Sequence, residues 1–275
     1  MSVQKEMKLE RFCRGIGLAK GVAGVLCGME RNDREYEAMR SLYEKDRAAF
    51  YRKVGCQQDA EKLFLYYYSR FACDTYEKYK ERRVKEQIYF DTFRDIALWC
   101  DDCIREIGKW GLGNCVWDWF WRSFEMKVFR LGRLEFEEME AEEEMIGEHV
   151  HIRKGEPVIS IHIPAGGPLI EEECRMSIQE AYRLFGEGKQ YFCHSWLLFP
   201  GLKDFLAKES NILRFQELFE VIKTDYRERE AEWRLFGRNC FRIADYAEDT
   251  SLQRRIKQYL LSGGSLGNGW GILKK

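Results

Sequence analysis

A thiol, an imidazole and a hydroxyl stand side by side in the stretch YFCHSWLLFPGL, as Cys193, His194 and Ser195. The stretch is apolar on both sides of this triplet and ends at a Pro-Gly turn, which predicts a strand over residues 190–198. Neighbouring side chains of a strand point to opposite faces, so adjacent residues cannot form the hydrogen-bonded nucleophile and base of a hydrolase. A hydrolase that uses Ser195 or Cys193 would need a base from another strand, for which His162 is the candidate.

His162 lies near the end of a second predicted strand, EPVISIHIP, just before the sequence Ala-Gly-Gly. The alternation of the strand places it on one face with Ser160, opposite three isoleucines. Histidine changes charge near neutral pH, so His162 could act as a general base that takes a proton from an ammonium group. The alternative is a structural histidine that is hydrogen-bonded within the sheet. His194 would be either a second base or a ring packed against Trp196.

The pair Cys100 and Cys103 has the spacing of a zinc or redox motif. The chain offers no second pair of this kind and no nearby histidine, and both thiols fall on the apolar stripe of a predicted helix. Buried cysteines behave as small hydrophobic residues. The pattern therefore favours packing over chemistry, and we predict no metal site.

Composition excludes several classes of protein. The 275 residues carry 45 Lys and Arg against 46 Asp and Glu, a net charge of −1, whereas a nucleic-acid-binding protein normally shows a basic surface. No apolar run approaches the roughly 20 residues of a membrane span. The first residues, MSVQKEMKLERF, are charged where a signal peptide would be apolar, and the ten cysteines suit free thiols. We expect a cytoplasmic protein with neither nucleic-acid nor membrane partners.

The chain divides into a helical front and a mixed back, an α+β organisation with predicted domains 1–128 and 129–275. The front shows helical periodicity without proline. Its predicted helices cover residues 4–19, 33–53, 57–82, 84–109 and 114–128.

The back half is predicted to run strand, strand, strand, helix, strand, helix, strand, strand. Ser177 heads a capping-box pattern that would open the first of these helices, and Ser210 would cap the second. EVIKTDY and EWRLFGR are predicted to form a hairpin of strands. A final helix, SLQRRIKQYLL, would be followed by a Gly-rich tail, SGGSLGNGWGILKK.

Specific stretches of this half resemble a known family. They are LGRLEFE, ISIHIPAGGPLIEEECRMSIQEA, CHSWLL and ESNILRFQELFEV. Together they are similar to bacterial acyltransferase-domain proteins, which have a helical N-terminal domain and a GNAT-like C-terminal domain with a mixed sheet. The resemblance implies an N-acyltransferase that uses acetyl-CoA or another acyl-CoA, with a small-molecule amine or a peptide as acceptor. Two parallel strands, 158–163 and 190–198, would then diverge to admit the pantetheine arm.

The resemblance also assigns residues to roles. His162, His194 and Ser195 would be catalytic. The diphosphate would lie on a loop and the helix that follows it. The implied cofactor-binding residues are Gly166 and Gly167 in the loop, Arg175 and Ser177 at the helix entrance, and Asn211 at the start of the next helix.

The chain also departs from the family pattern. The usual glycine-rich phosphate motif is absent, and three acidic residues, Glu171 to Glu173, follow the loop. The helix after Asn211 offers Phe215 and Phe219 where such enzymes often have a tyrosine that acts as an acid. A catalytically inactive module that binds acyl-CoA or another partner is therefore the alternative.

Overall fold

A computed structural model describes residues 7–29, 33–226, 229–237 and 239–274 of the protein. Its internal contacts divide the chain into two compact units, Met1–Arg130 and Leu131–Lys275. Within the described residues, no helix is both long and apolar enough to cross a membrane.

The first unit is helical. Its longest helix, α5, buries residues on every side, and aromatic side chains of α4 and of the segment after α7 pack against it. Phe64, for example, stacks on Trp117 with ring centroids 3.8 Å apart. The helices are α1 (Leu9–Gly15), α2 (Lys20–Cys27), α3 (Asp33–Lys45), α4 (Arg47–Gly55), α5 (Ala60–Glu81), α6 (Glu86–Phe93), α7 (Asp95–Ile107) and α8 (Trp121–Phe124), with a 3-10 turn at Asn114–Val116.

Four predicted helices of this unit are divided or shortened. The helix predicted over 4–19 is shortened to α1 in the described residues. The helix predicted over 33–53 breaks at Asp46, whose side chain accepts a hydrogen bond from the Ala49 amide and starts α4. The helix predicted over 84–109 breaks at Arg94 into α6 and α7. The segment 114–128 forms only the 3-10 turn and α8, because its tryptophans pack in different directions. Part of the first predicted helix, residues 4–6, lies outside the described residues, and α2 was not predicted.

Cys100 and Cys103 lie on the buried side of α7, as predicted for packing residues. The buried apolar face of α7 is shorter than the sequence predicts, because Ile104 and Ile107 on the last turn of α7 are exposed. Among the described residues, no group of three His, Cys, Asp or Glu side chains is placed to hold a metal ion.

The second unit contains the sheet. Its strands are β1 (Val128–Leu131), in which the first unit ends, β2 (Leu134–Glu140), β3 (Met145–Ile146), β4 (His151–Ile152), β5 (Pro157–His162), β6 (Gln190–Ser195), β7 (Phe219–Asp225) and β8 (Asn268–Leu273). Its helices are α9 (Glu171–Phe185), α10 (Asn211–Glu217), α11 (Glu230–Phe236) and α12 (Ser251–Leu261), with 3-10 turns at Trp196–Leu198, Pro200–Asp204 and Ile243–Asp245.

The sheet is mixed. Its strand order is β1-β2-β5-β6-β8-β7, and β3 pairs with β4 in a separate small hairpin. β5 and β6 are parallel and are joined by the crossover helix α9, whereas β2–β5, β6–β8 and β7–β8 are antiparallel. The α+β class predicted from the sequence, with a helical front and a mixed sheet behind it, is confirmed.

Two predictions for the last 50 residues are wrong. The stretch EWRLFGR belongs to helix α11 as far as Phe236 instead of forming a strand, and its last residue, Arg238, lies outside the described residues. The Gly-rich tail contains strand β8, which inserts between β6 and β7. Glycine is required in this strand for close packing, since a Cβ on Gly269 would lie 2.2 Å from the carbonyl oxygen of Leu198. The stretch NGWGIL therefore lacks the branched side chains by which strands are usually recognised.

Candidate functional site

The parallel strands β5 and β6 stay paired over only half of their length. Their pairs run from Val158–Gln190 to Ser160–Phe192, and within the described residues the ladder ends there. Both strands continue, β5 against β2 as far as His162 and β6 against β8 as far as Ser195. The pairing of β5 with β6 therefore ends before the carboxyl ends of the two strands. The divergence that the resemblance implies stays a prediction.

The strand predicted over 190–198 is shorter than expected. β6 ends at Ser195, and Trp196 already belongs to a 3-10 turn. The side chain of Ser195 caps that turn by accepting a hydrogen bond from the Leu197 amide at 3.2 Å. His194 consequently does not pack against Trp196 across a strand face. It stacks on Trp270 of β8 instead.

The two histidines occupy equivalent positions beyond the last β5–β6 pair. Ser160 pairs with Phe192, so the next positions in phase on the two strands are His162 and His194. Residues that alternate along a strand share a face, and directly paired residues share it as well. Both imidazoles therefore belong to the same face of the sheet, one on each strand beyond the last pair.

His162 is hydrogen-bonded to a buried carboxylate. Its Nε2 lies 2.9 Å from Oε2 of Glu137 on β2, and the His162 side chain is 27% exposed. Glu135, which pairs directly with His162, is also buried. Glu135 and Glu137 alternate along β2, so both carboxylates belong to the face that carries the imidazole.

His194 is held by a second carboxylate. Its Nε2 lies 2.9 Å from Oδ2 of Asp225 on β7, and its side chain is 29% exposed. The same oxygen of Asp225 accepts a hydrogen bond of 2.7 Å from the indole Nε1–H of Trp270. The imidazole and indole rings stack with their centroids 4.1 Å apart.

These contacts define which nitrogen can accept a proton. An ionised carboxylate only accepts hydrogen bonds, so each neutral imidazole would donate Nε2–H to it, which leaves Nδ1 with its lone pair. For His194, none of the described residues hydrogen-bonds to Nδ1. A partly exposed imidazole that is oriented by a carboxylate is the arrangement required of a general base.

The loop between β5 and α9 contains the two predicted glycines. Gly166 has φ 99° and Gly167 has φ 118°, values that residues with a side chain rarely adopt. Arg133, in the turn between β1 and β2, braces this loop. Its guanidinium donates hydrogen bonds to the carbonyl oxygens of Pro164, Gly167 and Pro168. The loop therefore has a fixed shape, and a cationic side chain contacts it.

The predicted helix entrance is wrong for Arg175 and Ser177. Helix α9 begins at Glu171, so both residues lie inside it. The pattern Ser-Ile-Gln-Glu resembles a capping box, but Ser177 Oγ donates to the Glu173 carbonyl and accepts from the Arg133 amide. Arg175 is exposed and forms an ion pair with Glu171 at 2.9 Å. The first turn of the helix instead presents three glutamates.

Asn211 begins helix α10, as predicted, and Ser210 caps that helix by accepting from the Ile212 amide at 3.3 Å. Asn211 is exposed. Further along, Phe215 and Phe219 are buried with ring centroids 5.0 Å apart, so they serve as core residues. The contact of Asn211 with a coenzyme stays a prediction.

Cys193 lies within the core on the opposite face of β6. Its side chain is fully buried, and this burial, with a smaller contribution from the charge of Glu230, raises the pKa of the thiol well above its usual range. The thiolate is the reactive form of cysteine, so Cys193 is poorly placed as a nucleophile.

Alkylation of the native protein with iodoacetamide should therefore modify the exposed Cys56 and Cys115 and spare Cys193. Mass spectrometry of the tryptic peptides reads this directly. In denaturant all three should react, which provides the control. Native modification of Cys193 at the rate of Cys56 would contradict its assignment as a core residue.

The sequence analysis did not identify the residues that orient the two histidines. Glu137 belongs to an acidic stretch, Asp225 ends a strand, and Trp270 lies in the Gly-rich tail. No local pattern links them to a histidine, because their contacts depend on the order of the strands. The only available signal was alternation, which places Glu135 and Glu137 on one face of β2.

Comparisons with known proteins agree with this architecture. A family model described as an N-acyltransferase N-terminal domain matches residues 7–126, and one described as a GNAT-like C-terminal domain matches residues 128–273. No curated protein sequence matches the chain.

Solved structures show the same fold. An acyltransferase crystallised with decanoyl-CoA and teicoplanin is 19% identical, with a TM-score of 0.74 over 95% of this chain and 86% of that one. A mutant acyltransferase crystallised with octanoyl-CoA is 18% identical, with a TM-score of 0.74 and the same coverage. At these identities the likeness concerns the fold.

Proposed function

The chain belongs to the family of proteins with a GNAT-like C-terminal domain preceded by an N-acyltransferase N-terminal domain, and from this premise we propose that it transfers an acyl group from acyl-CoA to an amine. The observation that carries the proposal is the end of the β5–β6 pairing at Ser160 and Phe192, with a carboxylate-bound histidine on each strand beyond it. Relatives of the same fold were crystallised with CoA, octanoyl-CoA and decanoyl-CoA.

The pantetheine arm of acyl-CoA is proposed to lie between β5 and β6 beyond their last pair. It contains two amide groups, which can hydrogen-bond to a strand edge much as an added strand does. Beyond Ser160 and Phe192 the inner edges of β5 and β6 no longer pair with each other. The thioester would then lie near His162 and His194, where the reaction requires it.

His194 is proposed as the general base. It would take the proton of the acceptor ammonium on Nδ1, and Asp225 would remain beside the positive charge that forms on the ring. The free amine would then attack the thioester carbonyl to give a tetrahedral intermediate whose nitrogen carries one excess proton. As the C–S bond breaks, that proton would pass to the departing thiolate, so that the amide forms and CoA leaves as the thiol. Of the two histidines, His194 is better supported because the described residues leave its Nδ1 without a hydrogen bond.

His162, the base predicted from the sequence, is proposed as the second proton-handling residue. Glu137 orients it in the same way that Asp225 orients His194. It lies on β5, beyond the last β5–β6 pair, where it could hydrogen-bond to the departing thiolate or to the acceptor. Ser195 is less well supported, since its hydroxyl caps the turn after β6.

The diphosphate of CoA is proposed to lie along the loop of Gly166 and Gly167. Two consecutive glycines with positive φ angles leave the backbone of this loop open to close approach by a ligand. The guanidinium of Arg133 supplies a positive charge at the same loop. The glutamates of the first turn of α9 oppose this attraction, and salt screens both effects.

The acceptor is proposed to be a small-molecule or peptide amine. A relative of the same fold was crystallised with teicoplanin, which supports testing large acceptors as well as small ones. A panel of acceptors should therefore include free amino acids, short peptides and larger amine-bearing compounds.

Binding of the donor should raise the melting temperature. A ligand present at about 100 times its dissociation constant adds about 2.7 kcal/mol to the free energy of unfolding. Acetyl-CoA, octanoyl-CoA and decanoyl-CoA should each be tested by thermal shift, with ATP as a control that has adenosine phosphates but no pantetheine arm. Stabilisation by none of the three thioesters would contradict the proposal.

Turnover is measured separately, as thiol released from the acyl-CoA in the presence of each amine. The alternative function is a module that binds acyl-CoA without catalysis, and the three glutamates at the start of α9 favour it. Stabilisation by the thioesters without thiol release from any acceptor would support that alternative.

A further inference from the structure

Strand β8, which lies in the Gly-rich C-terminal stretch of the chain, places the ring of Trp270 against His194. Trp270 pairs with His194 of β6 on one side and with Lys223 of β7 on the other, because β8 lies between those strands. Its side chain is 7% exposed and belongs to a buried cluster with Phe192 and Ile272. The indole is therefore fixed by the sheet itself.

Trp270 contacts the imidazole in two ways. The rings stack at 4.1 Å with an angle of 23° between their planes, which limits tilting of the imidazole. The indole N–H donates to Oδ2 of Asp225, the oxygen that also contacts Nε2 of His194. An indole nitrogen can only donate, so this bond holds the carboxylate in the orientation in which it accepts from His194.

The other charged groups around this ring are placed to support it. The ammonium of Lys223 lies 4.4 Å from the centroid of the Trp270 ring and forms an ion pair of 2.5 Å with Glu143. The cation of Lys223 therefore gives the indole a further contact, from β7.

We propose that Trp270 is a positioning residue for His194: its N–H fixes Asp225, Asp225 fixes the Nε2–H tautomer, and the indole face fixes the plane of the imidazole. The inference rests on the proposed function only in that His194 is the base there. Without Trp270, Oδ2 of Asp225 loses the indole donor and the imidazole loses its stacking partner. The neutral ring can then exchange between its two tautomers, so that Nδ1 is a proton acceptor for only part of the time.

The test is the tautomer of His194, read from ring-nitrogen chemical shifts. The protein has four histidines, so a ¹⁵N long-range spectrum at a pH where the rings are neutral contains few signals. The wild type should show His194 as a single tautomer protonated at Nε2. Trp270→Phe, which keeps an aromatic ring and removes the N–H, should show a mixture of tautomers. Trp196→Phe is the matched control and should leave the His194 signals unchanged.

A second variant guards against simple loss of folding. Trp270 replaced by β-(3-benzothienyl)alanine keeps the shape of the ring and has sulfur in place of the N–H. It should give the same mixed tautomers while the signals of the other three histidines stay in place. An unchanged single tautomer in either variant would overturn the proposal.

Kinetic measurements provide an independent test of the role of Trp270 if the wild type transfers acyl groups. Trp270→Phe should lower kcat by about tenfold or more, with KM nearly unchanged, because a misplaced base affects the chemical step. A loss confined to KM would count against positioning. A wild type that shows no acyl transfer would contradict the proposed function, whereas the tautomer measurement would still decide the role of Trp270.

Discussion

Replacement of His194 by alanine is expected to lower kcat/KM for acyl transfer by about 10²- to 10⁴-fold, the range typical of a lost general base. The imidazole is the group that would take the proton of the ammonium on Nδ1, whereas Asp225 contacts the other ring nitrogen and the Trp270 N–H. Thiol release from acyl-CoA, measured with the best acceptor from the panel, gives the rate.

His151→Ala is the matched control for this experiment. His151 also contacts a carboxylate, Glu144, at 2.7 Å, but the pair lies exposed on the small β3–β4 hairpin. It should keep nearly full activity. His162→Ala should also lower kcat/KM if it is the second proton-handling residue. Full activity in His194→Ala together with a large loss in His162→Ala would move the role of base to His162.

A buried ion pair in the helical unit should produce the largest change in stability. Nη1 of Arg130 lies 3.0 Å from Oδ1 of Asp95, and the two side chains are 7% and 3% exposed. Removal of one partner of a buried ion pair typically costs about 3–5 kcal/mol, because the remaining charge was desolvated on folding in exchange for that contact. We therefore expect Asp95→Ala to lower the free energy of unfolding by about this amount, measured by urea denaturation.

The matched control lies in the same helix. Asp102 also forms an ion pair, with Arg105 one turn later in α7, but both side chains of that pair contact solvent. Asp102→Ala should cost less than about 1 kcal/mol, as exposed pairs usually do. Equal effects of the two substitutions would mean that burial of the Asp95 pair contributes nothing to stability.

Much of the architecture could be predicted from the sequence because the signals for helices and strands are local. Helical periodicity and the absence of proline indicate the helical front, and alternation identifies β2, β5 and most of β6. The helix start at Ser210 was readable because capping involves only neighbouring residues. The same local logic failed at Ser177, whose hydroxyl contacts the amide of Arg133, 44 positions earlier in the chain.

Some residues of the candidate site could likewise be predicted from local signals, and others could not. His162 and His194 could be singled out from the sequence because a histidine at the end of an apolar strand is conspicuous by its type and position. Glu137, Asp225 and Trp270 could not, because each reaches its histidine across the sheet. Which strands become neighbours depends on the crossover through α9 and on the insertion of β8 between β6 and β7.

The amino-acid sequence by itself determined the α+β class, the two central strands and the identity of the two imidazoles, since periodicity and residue type require no knowledge of distant contacts. Only the tertiary structure decided which carboxylate holds each imidazole, where the parallel strands stop pairing and that the glycine-rich end of the chain is a strand. These features arise from pairing between segments that are far apart in sequence. Packing of the whole sheet selects which segments pair, and no short stretch of sequence contains that information.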